Sequence, residues 1–297
     1  MTRRAAGGAA LLAALIVIAS GLRPPASGLR PLASEPARRI ISIVPAITEM
    51  LFAIGAGDRV VGVSSFDEYP PEVRKLPRVG GLLDPDLERI FALRPDLVIV
   101  YASQTELEKQ LARAGIATFA YRHGGVAHIP RVMRELGERA ATQAGAERAA
   151  REIEQGLADV RARFAGGTRP RVLLVFGRDR GTLRGIYASG GRGFLHDLIE
   201  IGGGTNVIAD IDREAVQAST ELVLARAPDV LLEIHGGATL TEEALARERG
   251  AWSALPGLPA VRNRRVHVLS GPELVIPGPR IVSAARRIAS AIHPEIK

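Results

Sequence analysis

The chain is predicted to be an α/β protein: two Rossmann-like lobes with central parallel sheets, joined by a long rigid helix, with a ligand cleft between the lobes. Three observations predict this. Short β-branched runs alternate with helical stretches at intervals of about ten to fifteen residues, the pattern of βα units on a mainly parallel sheet. One phrase occurs twice, as Leu87-Glu-Arg-Ile-Phe-Ala-Leu-Arg-Pro-Asp-Leu-Val-Ile-Val100 and Thr220-Glu-Leu-Val-Leu-Ala-Arg-Ala-Pro-Asp-Val-Leu-Leu-Glu233, so that Glu88 answers Glu221 and Pro95 answers Pro228. Between the copies, Ile129 to Phe164 is rich in Ala, Glu, Arg and Leu and interrupted only by Pro130, Gly137, Gly145 and Gly156, which makes it helical. It reads as one long helix or two in tandem, a stiff spacer between lobes. The alternative is that it forms two helices of a single sheet domain. The expected organisation is an N-terminal lobe at 38–128, a connecting helix at 129–165 and a C-terminal lobe at 166–297.

In order along the first lobe, Arg39-Ile-Ile-Ser-Ile-Val44 is a strand candidate. Thr48 to Ile54 follows as a helix stopped by Gly55 and Gly57, and Val60-Val-Gly-Val63 as a second strand. After a polar segment, Ser64 to Pro71, come the helix around Glu88, a strand from Asp96 to Tyr101 and a helix from Glu106 to Ala114 ended by Gly115. The second lobe repeats the order. Arg171 to Phe176 is a strand, and Phe194 to Ile201 a helix ended by Gly202-Gly-Gly204. The Glu221 helix, the strands Val230 to Ile234 and Arg265 to Leu269, and a helix from Ile281 to Ile292 close the chain.

The N-terminus carries an export signal: Arg3 and Arg4 precede an uncharged stretch, Ala5 to Leu22, with the apolar core Leu11 to Ile18. Residues 1–22 are the expected signal. Ala19-Ser-Gly21 favours cleavage, and eighteen uncharged residues also suffice for a retained anchor. Residues 23–37 hold Pro24, Pro25, Pro31 and Pro36 without periodicity, a leader or tether. The chain has no cysteine, hence no disulfide, no thiolate metal site and no lipidated Cys. The expected location is periplasmic or secreted, unless the signal stays as an anchor. Net charge is +7; four arginines and one glutamate fall in residues 1–37, leaving 35 basic against 31 acidic residues. Such interspersed charge makes solvated helix faces rather than a nucleic-acid stripe.

The order Arg39-Ile-Ile-Ser-Ile-Val-Pro-Ala-Ile-Thr-Glu49, then Gly57 to Pro70, then Leu87-Glu-Arg-Ile90 and Arg94-Pro-Asp-Leu-Val-Ile99 resembles the class III periplasmic substrate-binding proteins. These serve ABC importers of vitamin B12, haem and ferric siderophores, and the vitamin B12-binding members are the nearest likeness. The resemblance covers nearly the whole chain from Arg38 and implies ligand between two lobes with little hinge closure. In that family a glutamate on each lobe engages arginines of the permease, and these positions match Glu88 and Glu221. Carboxylates on two rigid lobes fix orientation and encounter rate more than affinity. The bland reading is that each merely occupies a helix's first turn, but that leaves the matched offset unexplained. The implied partners are an ABC importer permease dimer and a small molecule, with no nucleic acid. Membrane contact is implied only through the permease or an uncleaved signal, and the state is a monomer.

Open α/β sheets bind ligands at the carboxyl ends of their strands. The expected ligand-binding residues therefore lie on the following loops: Pro45 and Ala46, Phe66, Leu82, Tyr101, Arg178 and Arg180, Gln217, His235 and Glu273. Phe66, Leu82 and Tyr101 match aromatic cleft positions of the corrinoid-binding members, although Leu82 is not aromatic. Ala215 and Pro272 stand where an indole and a carboxylate would be. A corrinoid would use Phe66 and Tyr101 as flat contacts. Haem would use an axial Tyr69, Tyr101, Tyr187 or His235. A ferric siderophore would use Arg178, Arg180 and Arg184. The corrinoid is favoured, with the other two as alternatives. The glycine runs at 190–193 and 202–204 lack dinucleotide or triphosphate spacing, and no catalytic motif stands out. No enzyme, catalytic cofactor or resident metal is expected; direct metal-ion binding by scattered histidines and a ligand-free interaction module are the remaining alternatives.

Overall fold

The computed structural model describes residues 35–237 and 240–296. The expected signal and most of the leader lie outside the described residues. In the first half a parallel sheet has the order β2-β1-β3-β4, from β1 (Ile40–Ser42), β2 (Val60–Val63), β3 (Leu97–Tyr101) and β4 (Ala117–Tyr121). Helices α1 (Pro45–Ala53), α2 (Leu87–Ala92) and α3 (Thr105–Arg113) connect them. β1 is buried at every residue and β3 at all but the last, as continuous apolar runs covered on both faces should be. Pro45 opens α1 as its first helical residue, where a missing N–H costs nothing. Pro45 and Ala46 are therefore helix, not the loop expected after the first strand. β4 was not foreseen: Ala117-Thr-Phe-Ala-Tyr121 is an edge strand with two small residues and a weak apolar signature.

Residues 128–164 form two helices, α4 (His128–Arg139) and α5 (Gln143–Phe164), not one. They fold back on each other at Ala141, whose φ is 46°, and Arg134 of α4 bonds Glu147 and Glu154 of α5. The 22-residue α5 is about 33 Å long and lies on both halves. A side chain at Gly145 would collide with the Ile54 carbonyl that ends α1, and one at Gly156 with Val282 of the second half. Close helix packing requires glycine at these two positions.

The second half contains β5 (Arg171–Gly177), β6 (Ile186–Ser189), α6 (Phe194–Ile201), β7 (Thr205–Asn206), β8 (Ala215–Ala218), α7 (Thr220–Arg226) and β9 (Val230–His235). It continues with α8 (Glu242–Ala251), α9 (Pro259–Arg262), β10 (Val266–Ser270) and α10 (Ile281–Ile292). The sheet order is β10-β9-β5-β6-β8, with β7 beside β5. Here the expectation of a parallel sheet needs correction: β6 runs antiparallel to both β5 and β8. Four-residue strands flanked by glycine-rich turns gave no periodic signal long enough to read. One apolar cluster runs from Ile40 and Val44 through Met133 and Ile153 to Leu174 and Ile288, so the two sheets share a core across α4 and α5.

Candidate ligand cleft and docking surface

Between the halves lies a cavity of about 300 Å³. Pro45, Glu49, Phe66 and Tyr69 line one wall, Gly236, Pro272 and Ile276 the other, and Arg280 sits between them. It sits at the carboxyl ends of β1, β2 and β9, where such sheets place ligands. A larger cavity of about 590 Å³ runs along the free edge of β10, beside Arg249, Trp252 and Arg264. It draws on one half only and on the edge of a single strand, so the smaller cavity, at the carboxyl ends of strands from both halves, is the candidate ligand site.

The floor of the cleft is an ion pair between the halves. Arg280 donates from Nε to Glu49 Oε2 at 2.9 Å and from Nη2 to Oε1 at 2.5 Å. Its guanidinium also lies 4.4 Å above the Tyr69 ring. Burial pushes the Glu49 carboxyl up, opposed by the hydrogen bond and charge of Arg280; the bidentate geometry identifies the ionised pair. Glu273 extends the chain by pairing with Arg287 and lying 3.7 Å from Arg280. Glu273 is thus committed to arginines of its own half. Sequence reasoning missed Glu49 and Arg280, because partners 231 residues apart leave no local trace.

Phe66 is 69% exposed over the cavity, with Tyr69 at 44%; Leu82, 41% exposed, does not line it. Leu83, unforeseen, is 93% exposed. The Leu82 loop is held by Gln104, whose Nε2 donates to the carbonyls of Gly81 and Leu82. Tyr101 ends β3, half-buried, and its ring lies 5.8 Å from that of His123; Tyr121 meets His123 edge-on at 5.1 Å. Burial lowers the His123 pKa, against a raising influence of Glu214 from the other half. Beside these, Phe176, Phe194, Ala215 and Val275 form an apolar hollow of about 270 Å³.

Several expected contacts lie elsewhere. Ala46 is 3% exposed, inside the core. The Arg178 side chain is 1% exposed; its guanidinium bonds Glu233 and Glu248 and lies 5.6 Å from the Trp252 ring centre. No donor is left for a ligand. Burial disfavours charge on Glu233 most, but bonds from His235, Trp252 and Arg178 together hold its carboxyl below the usual range. His235 gives Nε2 to Glu233 Oε1 at 2.8 Å and, with Arg180 and Arg247, lines a separate hollow beyond the Gly236–Gly237 turn. Gln217 is exposed on β8 opposite Tyr187 of β6, a strand rather than a loop, and lines none of these hollows.

On the outer surface the repeat recurs in detail. Glu88 and Glu221 are both exposed, each the second residue of its helix. The side chains of Asp86 and Ser219 cap those helices by accepting from Arg89 N and Leu222 N. Ser219 also holds the Glu221 carboxyl below its ordinary range. Among the described residues no three His, Asp or Glu side chains group as metal ligands, and no helix is long and apolar enough to cross a membrane.

The sequence profile of the family described as "Periplasmic binding protein" matches residues 40–272. The vitamin B12-binding protein of Salmonella typhimurium is 32% identical over 258 residues, 86% of this chain and 90% of that protein. Two solved structures superpose with comparable fidelity. The periplasmic vitamin B12 binding protein BtuF of Vibrio cholerae has a TM-score of 0.73 at 26% identity, covering 86% of this chain and 97% of that one. The periplasmic heme-binding protein RhuT from Roseiflexus sp. RS-1 has a TM-score of 0.72 at 28% identity, covering 88% and 100%. These relatives are binding proteins rather than enzymes, and what they hold is cargo, not a catalytic cofactor.

Proposed function

Because the chain belongs to the periplasmic binding protein family, we propose that it is an exported, monomeric solute receptor that carries a corrinoid through the periplasm to an ABC importer permease dimer. The observation that carries the corrinoid reading is a flat, exposed Phe66 beside a floor whose one lining cation among the described residues, Arg280, is neutralised by Glu49, so that the remaining lining charge is the Glu68 carboxylate and no cation is left for an anionic ligand. Such a wall suits an uncharged macrocycle face better than a polyanion. A cavity of about 300 Å³ is at the small end for ligand sites, so it receives one edge of the macrocycle while Phe66 and the Leu82–Leu83 turn cover part of the remainder. The siderophore reading loses its best support, since Arg178 is consumed internally and Arg180 faces a separate hollow. The haem reading keeps one specific observation, the Tyr101–His123 pair, which offers oxygen and nitrogen donors suited to an axial position.

Docking follows from the repeated surface. Glu88 and Glu221 are exposed, equivalently capped and not engaged in any ion pair among the described residues, which leaves both free for arginines of a two-fold related partner. The ligand assignment is tested by calorimetric titration with cyanocobalamin, hemin and a ferric catecholate in parallel. Trp252 is a poor reporter because it is fully buried behind the Arg178 network. One equivalent of cyanocobalamin is the expected result; saturation by hemin alone, with a shifted Soret band, moves the assignment to haem.

A further inference from the structure

We propose that Arg39 and Arg171 are positioning residues that aim Glu88 and Glu221 at the permease, an inference that rests on the docking reading above. Each arginine stands at the head of a strand in the interior of its sheet, β1 between β2 and β3, and β5 between β9 and β6. Arg39 Nε donates to the carbonyls of Leu93 at 3.1 Å and Arg94 at 3.0 Å, and Nη2 to Leu93 at 2.6 Å. Leu93 is the C-cap of α2. Arg171 Nη2 donates at 2.5 Å to the carbonyl of Arg226, the last residue of α7.

A reciprocal bond closes each clasp. The Asp96 carboxylate accepts from the backbone N–H groups of Arg38 at 2.8 Å and Arg39 at 3.0 Å, while Asp96 N donates to the Arg39 carbonyl at 3.0 Å. Asp229 does the same with Arg171, at 3.0 and 2.8 Å. The register agrees as well, Ile40 opposite Leu97 and Val172 opposite Val230. Between helix and strand, Arg94 and Ala227 take left-handed backbones with φ of 46° and 42°. Ordinary residues avoid that conformation unless their surroundings impose it. The Pro-Asp of the repeated phrase is therefore half of a lock whose other half is an arginine more than 50 residues away.

Helices of six and seven residues do not hold a direction by themselves, so their ends must be fixed from outside. Asp86 and Ser219 fix the N-termini. The guanidinium groups fix the C-termini, where orphan carbonyls and the negative end of the helix dipole favour a cation. Glu88 lies about 7 Å along the axis from Leu93, and a 20° swing about that end would displace it by about 2.5 Å. That is comparable to the whole length of a charge-assisted hydrogen bond.

The absence of cysteine permits a direct test. Spin labels at Glu88→Cys and Glu221→Cys report the separation of the two sites by pulsed dipolar spectroscopy in the full chain. Arg39→Ala should broaden or shift that distance distribution, and Arg39→Lys should recover part of it. Arg171→Ala should act less, because Arg171 makes one side-chain bond to the end of its helix where Arg39 makes three. An unchanged distribution in both alanine variants overturns the proposal. So does a loss of cyanocobalamin affinity as large as the change in docking, since that would reveal a general loss of fold. With unlabelled protein, Arg39→Ala should weaken capture by a vitamin B12 permease dimer in nanodiscs by roughly threefold to tenfold. Should wild type and Glu88→Lys/Glu221→Lys be captured equally, the docking reading fails, whatever the label distances show.

Discussion

The two halves correspond on the outer surface around the repeated helices and differ in the cleft. Outside, Asp86 matches Ser219, Glu88 matches Glu221, and the Arg39–Asp96 clasp matches Arg171–Asp229. Inside, the first wall presents exposed aromatic rings, Phe66 and Tyr69, whereas the second offers Gly236, Pro272 and Ile276. The sheets differ too, all-parallel against mixed. A two-fold partner imposes equality on the surfaces that meet it; an asymmetric ligand imposes none on the walls that hold it. Under the proposed function, the repeat is retained where symmetry has a use.

The comparison breaks first, and with the largest effect, at Arg178. Among the described residues the first half has no counterpart of this buried arginine between two glutamates. Arg178→Ala leaves Glu233 and Glu248 without their cation and should lower unfolding free energy by about 3–5 kcal/mol in urea denaturation. A loss under about 1 kcal/mol would return Arg178 to the list of available ligand contacts. The next effect separates the walls: Phe66→Ala should weaken cyanocobalamin binding about tenfold, and Ile276→Ala less than about threefold, by calorimetry. Equal losses would mean that the ligand is held by both walls alike.

The smallest effect concerns pH. Burial, with Arg265 and Arg249, lowers the His267 pKa from the ordinary 6.5, and its Nε2 is buried without a hydrogen-bond partner among the described residues. A histidine whose folded pKa lies below its unfolded value contributes stability that is full above pH 6.5 and is lost as pH falls through the folded value. His123 and His128 of the first half share this sign, again chiefly through burial. Glu49 and Asp67, raised by burial, carry the opposite sign, with stability lost as pH rises. The difference between wild type and His267→Leu isolates the one group. Between pH 7.5 and 5.5 the variant's urea midpoint should fall less than that of wild type; parallel curves would mean that His267 is already solvated.

Much of this was legible in the sequence because the signals are local. Gly202-Gly-Gly204 stops α6 where a helix end was expected, and α10 spans Ile281 to Ile292 as its apolar spacing indicates. The repeated phrase fell on two equivalently capped helices that expose Glu88 and Glu221, while Phe66 lies in the loop after β2 and Tyr101 ends β3, as anticipated. What stayed hidden depends on distant partners. Nothing near Arg178 announces Glu233 and Glu248, so a buried structural cation read as a ligand-binding cluster. Nothing near Glu49 announces Arg280. β6 and β8 were missed for another reason: Ile186-Tyr-Ala-Ser189 and Ala215-Val-Gln-Ala218 are too short to show alternation and take their conformation from neighbouring strands.

The central claim is that the symmetric surface serves the permease and the asymmetric cleft serves the ligand. Capture of ligand-loaded wild type and of Glu88→Lys/Glu221→Lys by a vitamin B12 permease dimer in nanodiscs tests it most directly, with bound cyanocobalamin quantified in the same samples. Docking should fall by at least about a hundredfold at unchanged cyanocobalamin occupancy. Undiminished docking, or occupancy lost along with it, would contradict the account.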